Sequence, residues 1–147
     1  MILVRAGLAL LALDELVVGA WNQFAPESFY ETFPTVDLTP PFSEHYARDF
    51  GGATLGIAVL LVIAVIRPLP VVVGMASLAY SVFALPHFVF HLEHLQHATS
   101  GEAAFLVAGN AAVALIGLAL TIWAVVRIGP WNESRALAAS SSPGTTR

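Results

Sequence analysis

Three histidines of the run PHFVFHLEHLQH, His87, His91 and His94, are separated by four and three residues. On a helix they stack along one face over two turns, with His97 rotated slightly away. Imidazole is a common ligand for zinc, iron, copper and nickel, and it changes charge near neutral pH. Metal coordination and proton movement are therefore the two chemistries that suit this run. The spacing has no family-specific metal signature: HExxH is absent, and Glu93 falls well around the helix from the histidine stripe.

Two carboxylates are the next candidates, because Asp14 and Glu15 interrupt an otherwise apolar stretch. An acid inside a membrane helix costs about 2.5 kcal/mol or more unless it is paired or protonated. They need partners. Further along, His45, Arg48, Asp49, Gly52 and Gly56 recur at three- and four-residue steps, which places them on one helical stripe. Gly52 and Gly56 form a small-xxx-small pair that favours close helix approach, so the stripe is expected to face inward. The long stem of Arg48 would then reach down to Asp14 or Glu15.

The elements that must carry these groups follow from composition. The chain of 147 residues is 57% apolar and 11% charged, with a mean hydropathy of +0.77; soluble domains carry about a quarter charged residues. The bilayer is the expected solvent. Four apolar runs, residues 2–20, 43–66, 69–94 and 103–128, are each long enough for a hydrocarbon core about 30 Å thick. Helices satisfy their own backbone groups in lipid, so the predicted fold is an all-α bundle of four transmembrane helices forming one domain, residues 1–129. Gly129-Pro130 is expected to stop the last helix, leaving residues 130–147 as a flexible cytoplasmic tail.

Exclusions are equally firm. The chain has no cysteine, which removes disulfides, thiolate ligands and iron–sulfur clusters. It has no lysine and a formal charge of -4, so it has no basic patch for nucleic acid.

Arg5, Arg67, Arg127, Arg135 and Arg147 fall on one side of this topology and Arg48 alone on the other. Basic flanks are retained in the cytoplasm, so both termini are expected there, in the cell membrane. The loop from Trp21 to about Pro41 then faces outward. It is rich in aromatic residues and proline, and PESFYETF reads as a short interfacial helix with Pro26 at its first position. Such a loop anchors at the headgroups or forms a lid over the bundle end. A cleavable secretory signal is a competing reading of the N-terminus, opposed by the charges of Asp14 and Glu15.

Asp14, Glu15, His45, Arg48, Asp49, His87, His91 and Asn110 thus come from four spans to similar depth near the outer end. Asp14, about six residues below that end, lies about 9 Å deep. One reading is a site for a transition metal (zinc, iron or copper) on His45, His87, His91 and His94 with a carboxylate, or for another small ligand, in redox or hydrolytic chemistry. A second is a purely structural polar network in an accessory subunit, with Asn110 as helix-to-helix glue. A third is a pH-sensitive proton site or a site for a hydrophobic ligand.

The layout also resembles the small four-helix DoxX-like membrane proteins and their actinobacterial relatives. The resemblance rests on Arg5, on Pro26-Glu-x-Phe-Tyr-x-x-Phe-Pro34, on Glu44-His45-x-x-Arg48-Asp49-x-Gly51 and on Pro86-His87-x-x-x-His91-x-x-His94, over about residues 2 to 127. It implies a membrane component of a redox system with a partner enzyme. A homo-oligomer is the other partner considered.

Overall fold

The structure, a computed structural model, describes residues 1–38 and 41–140, the last eleven as backbone only. Every regular element among them is helical. They are α1 (Ile2–Phe24), α2 (Pro26–Thr32), a one-turn 3-10 helix (Val36–Leu38), α3 (Glu44–Ile66), α4 (Pro70–Glu93) and α5 (Ser100–Ser140).

Local signals explain where several of these begin. Ser43 accepts a hydrogen bond from the Tyr46 amide at 3.5 Å and caps α3, with Glu44 in the first turn where the dipole favours an acid. Before α5 the Glu102 carboxylate accepts from the Thr99 amide at 2.7 Å while the Thr99 hydroxyl accepts from the Glu102 amide at 3.4 Å. That reciprocal capping box satisfies two amides at once. Proline occupies the first turn of both α2 and α4, where its missing N–H costs nothing.

α5 corrects one expectation. It passes through Gly129-Pro130 and continues to Ser140, so the residues expected to be a flexible tail are helical as far as 140; residues 141–147 lie outside the described residues. A proline inside a helix removes one backbone bond and crowds the preceding turn, which bends or weakens the rod without obliging it to end.

Three helices, Glu44–Ile66, Pro70–Glu93 and Ser100–Gly129, are long and apolar enough to cross a membrane. Their outer faces are apolar too: Val59, Ile63, Met75, Val82, Leu115 and Val125 are all exposed. Such a continuous shell would aggregate in water and is at home in hydrocarbon. This is a membrane protein. α1 has 23 residues, about 34 Å at 1.5 Å per residue, but with Asp14 and Glu15 near its middle it is less apolar than these three.

Packing divides the bundle into two tight pairs. α1 and α3 touch extensively, as do α4 and α5, while contacts between the pairs are fewer. Glycines permit each close approach: a Cβ on Gly51 would lie 2.5 Å from the Gln23 nitrogen and 2.8 Å from the Gly19 oxygen, and one on Gly117 would lie 2.7 Å from the Tyr80 ring. The α4–α5 pair is also joined by a hydrogen bond from the Thr121 hydroxyl to the Ser77 hydroxyl at 3.0 Å. Leu8, Leu11, Leu61, Val73, Ala76 and Ala124 fill the shared core toward the arginine-bearing end. The opposite end is not filled.

Gly52 and Gly56 do not make the contact expected of them. Both are exposed, and a Cβ on Gly56 would meet nothing within 4 Å. The face of α3 that packs is instead Gly51, Thr54, Ala58, Leu61 and Ala64. Four residues of the polar stripe read from the sequence, His45, Asp49, Gly52 and Gly56, are on the exposed side of the helix, and Arg48 at its edge reaches the Gln23 carbonyl of α1, because the Gly19–Gly51 approach fixes the rotation.

Candidate functional site

The unfilled end is a cavity of about 530 Å³ bounded by residues of all five helices. Its floor and walls include Val18 and Asn22 of α1, Ala47, Phe50 and Thr54 of α3, Tyr80, Phe83, Ala84 and Phe90 of α4, and Phe105, Leu106, Gly109 and Val113 of α5. The aromatic loop closes one side through Phe29, Phe33, Thr35 and Val36. Phe29 stacks on Phe33 with centroids 4.8 Å apart, and the Trp21 ring meets Phe29 edge-on at 5.7 Å, its Nε1 donating to the Ser28 hydroxyl at 3.3 Å. These contacts hold α2 against α1.

Thr35 is the one described non-glycine residue with a left-handed backbone, at φ 74°. A β-branched side chain there is strained by about 1–3 kcal/mol. Thr35→Gly should therefore stabilise the protein by about 1 kcal/mol, less than the whole strain because glycine loses more chain entropy. A thermal unfolding midpoint unchanged or lowered would contradict this.

Five of the polar residues singled out by sequence line the cavity: Asp14, Glu15, His87, His91 and Asn110. Glu15 is 2% exposed, and its Oε2 is buried without a hydrogen-bond partner; so is Nδ1 of His91. Asp14 is open to the cavity space. The Nε2 atoms of His87 and His91 are 3.2 Å apart, their rings edge-to-face with centroids at 4.5 Å, and His87 stacks on Phe83 at 5.1 Å. A hydrogen bond between two ring nitrogens needs one of them unprotonated. Asn110 donates to the Leu106 carbonyl of its own helix at 2.8 Å.

The other four do not join them. His45 and Asp49 form an i,i+4 pair at 3.3 Å on the outside of α3, with side chains 80% and 66% exposed. Arg48 pairs with Glu44 at 2.9 Å and donates to the Gln23 carbonyl, so the expected Arg48 contact with Asp14 or Glu15 is not formed. His94 is exposed, stacked on Phe90 at 3.9 Å with Nδ1 2.7 Å from the Phe90 carbonyl. Accordingly, no group of three or more His, Asp or Glu side chains among the described residues is placed to hold a metal ion. The side chains expected to form one metal set are divided among the cavity (His87 and His91), the exposed face of α3 (His45 and Asp49) and the exposed end of α4 (His94).

Tyr80, Thr54, Asn22 and Phe83 were missed. For Tyr80 the signal was present, since residues 80, 84, 87 and 91 recur at three- and four-residue steps, and Tyr80 therefore shares the histidine face. Asn22 and Thr54 gave no such cue: each bonds its own helix, Asn22 to the Val18 carbonyl at 2.9 Å and Thr54 to Gly51 at 3.0 Å.

These features define an α-helical membrane protein with a polar-tipped aromatic cavity at one end of the bundle. No protein-family model matches the chain, and neither does any curated protein or solved structure.

Proposed function

We propose that the protein spans the membrane four times, with α1 as the fourth span, and binds a small, largely apolar ligand in the cavity between its helix pairs. Asp14, Glu15, His87, His91 and Asn110 contact the polar part of that ligand, and the phenylalanines enclose the rest. Arg5, Arg67 and Arg127 fall at the other end, so by the retention of basic flanks both termini are cytoplasmic in the cell membrane and the cavity faces outward. Binding pockets of this kind are mostly apolar with a few convergent polar groups.

One observation carries this reading: polar groups of four helices, α1, α3, α4 and α5, enter one cavity without bonding one another across helices. Asn22, Thr54 and Asn110 bond their own helices, His87 bonds His91 of the same helix, and Glu15 Oε2 bonds nothing. Helix-to-helix glue would use these groups against each other. Their capacity is directed at an occupant.

A transition metal is the second ligand class, and with it come the redox or hydrolytic chemistry and the partner enzyme that the DoxX-like layout implies. What favours it is the His87–His91 pair with an unpartnered buried nitrogen. Two imidazoles would need a carboxylate of α1 to complete a site.

The test is to purify the protein in mild detergent, extract it, and analyse for organic molecules and metals. Gly109→Phe is the blocking variant, because Gly109 lines the cavity and a Cβ there meets no atom within 4 Å. Wild type should retain an organic molecule and Gly109→Phe should lose at least about 90% of it, equivalent to a tenfold affinity loss. Equal retention by both would sink the cavity reading. A stoichiometric metal lost in His87→Ala, His91→Ala would establish the second class instead.

A further inference from the structure

We propose that the cavity selects an organic cation, a lipophilic ammonium or phosphonium bearing aromatic or bulky apolar groups. This deepens the ligand-binding reading above and rests on it.

The charges lining the space are one-sided. Asp14 and Glu15 both contribute carboxyl groups, while among the described residues no arginine lines it and the chain has no lysine. Arg48, the cation near this end, is engaged by Glu44 of its own helix and by the Gln23 carbonyl of α1. The imidazoles do not reverse this balance, because the 3.2 Å Nε2 contact between His87 and His91 leaves the pair at most one proton to share on facing nitrogens. The result is two acids against a mutually bonded histidine pair.

Burial makes the imbalance consequential. Glu15 is 2% exposed with Oε2 unpartnered, and a buried carboxylate without a partner is unfavourable until a counter-charge or donor reaches it. A metal ion would need further ligands at close range, and none are grouped for it among the described residues. An organic cation needs no coordination sphere. It needs one carboxylate and π faces, which attract a cation within about 6 Å of the ring centroid. Tyr80, Phe83, Phe50 and Phe90 line the same space as Glu15, and Phe50, Phe83 and Tyr80 already form a ring cluster with centroids 5.7 and 6.4 Å apart. About 530 Å³ is room for a multi-ring molecule rather than a bare ion.

The experiment compares two probes of similar shape on the full chain in detergent: tetraphenylphosphonium, which is charged, and triphenylphosphine oxide, which is neutral. Gly109→Phe sets the level of partition into the micelle. Above that level, wild type should bind the phosphonium at least about tenfold more tightly than the phosphine oxide. Glu15→Gln should lose about tenfold of phosphonium affinity and leave the phosphine oxide unchanged. Asp14→Asn, on the more open carboxyl, should lose less in the same direction and serves if Glu15→Gln does not fold. Phosphonium binding that is undiminished in every acid variant that folds overturns cation selectivity; if Gly109→Phe still displaces the phosphine oxide, the ligand cavity survives. Binding of both probes at the Gly109→Phe level overturns both readings.

Discussion

Glu15→Leu is expected to raise stability and abolish ligand retention together. Leucine removes a buried carboxyl whose Oε2 has no partner, and unsatisfied buried polar groups cost about 1–3 kcal/mol. The gain in unfolding free energy should be of that size, read as a higher thermal midpoint in detergent or a higher midpoint in denaturing surfactant. Retention of the extracted molecule should fall at the same time. A residue that weakens the protein while present and is needed for binding is the signature of a site, since stabilising substitutions commonly cost function where a site holds strain or an unpaired group. Under the structural-network alternative the sign reverses: removing one member of a satisfied network destabilises. A lowered midpoint in Glu15→Leu would therefore favour the accessory-subunit reading.

The second large effect falls on the helix contact that shapes the cavity. Gly51→Ala would place a Cβ 2.5 Å from the Gln23 nitrogen, 2.8 Å from the Gly19 oxygen and 3.0 Å from the Asn22 carbonyl carbon. All three are backbone atoms, which cannot turn aside as a side chain can, so α1 and α3 must separate. Overpacking of this kind costs about 1–3 kcal/mol. The counterpart, Gly56→Ala, meets nothing and should be neutral or stabilise by up to about 1 kcal/mol through helix propensity. Thermal unfolding of the two variants side by side decides the matter. Equal effects, or a larger loss at Gly56, would mean that the rotation of α3 is wrong, and with it the exposure of His45 and Asp49.

How far the site was legible depends on the helix. On α4 the four-residue step from His87 to His91 put both rings on one face, and the structure places both in the cavity. Residues on a single helix keep their relative positions whatever surrounds them. Asp14 and Glu15 were legible for another reason: a carboxyl in an apolar run is costly enough to need shelter, and both line the cavity. The stripe of His45, Arg48, Asp49, Gly52 and Gly56 failed because its internal consistency was real but its direction was assumed. A stripe of charged and small residues serves an outer face, where Arg48 pairs with Glu44 and His45 with Asp49, as readily as an inner one. Gly51, one position away, is what the neighbouring helix requires.

By itself the sequence determined the properties that are sums or local periods along the chain. These are the apolar composition that sends it to a membrane, the helical runs, the Ser43 cap and the shared helix face of His87 and His91. Tertiary structure alone decided which face of α3 turns inward, that α5 continues past Pro130, and that a cavity is left between the helices. The reason is physical: a helix's rotation about its axis is set by which neighbour offers a glycine at the matching height. That is a relation between distant segments, and no spacing within one segment contains it.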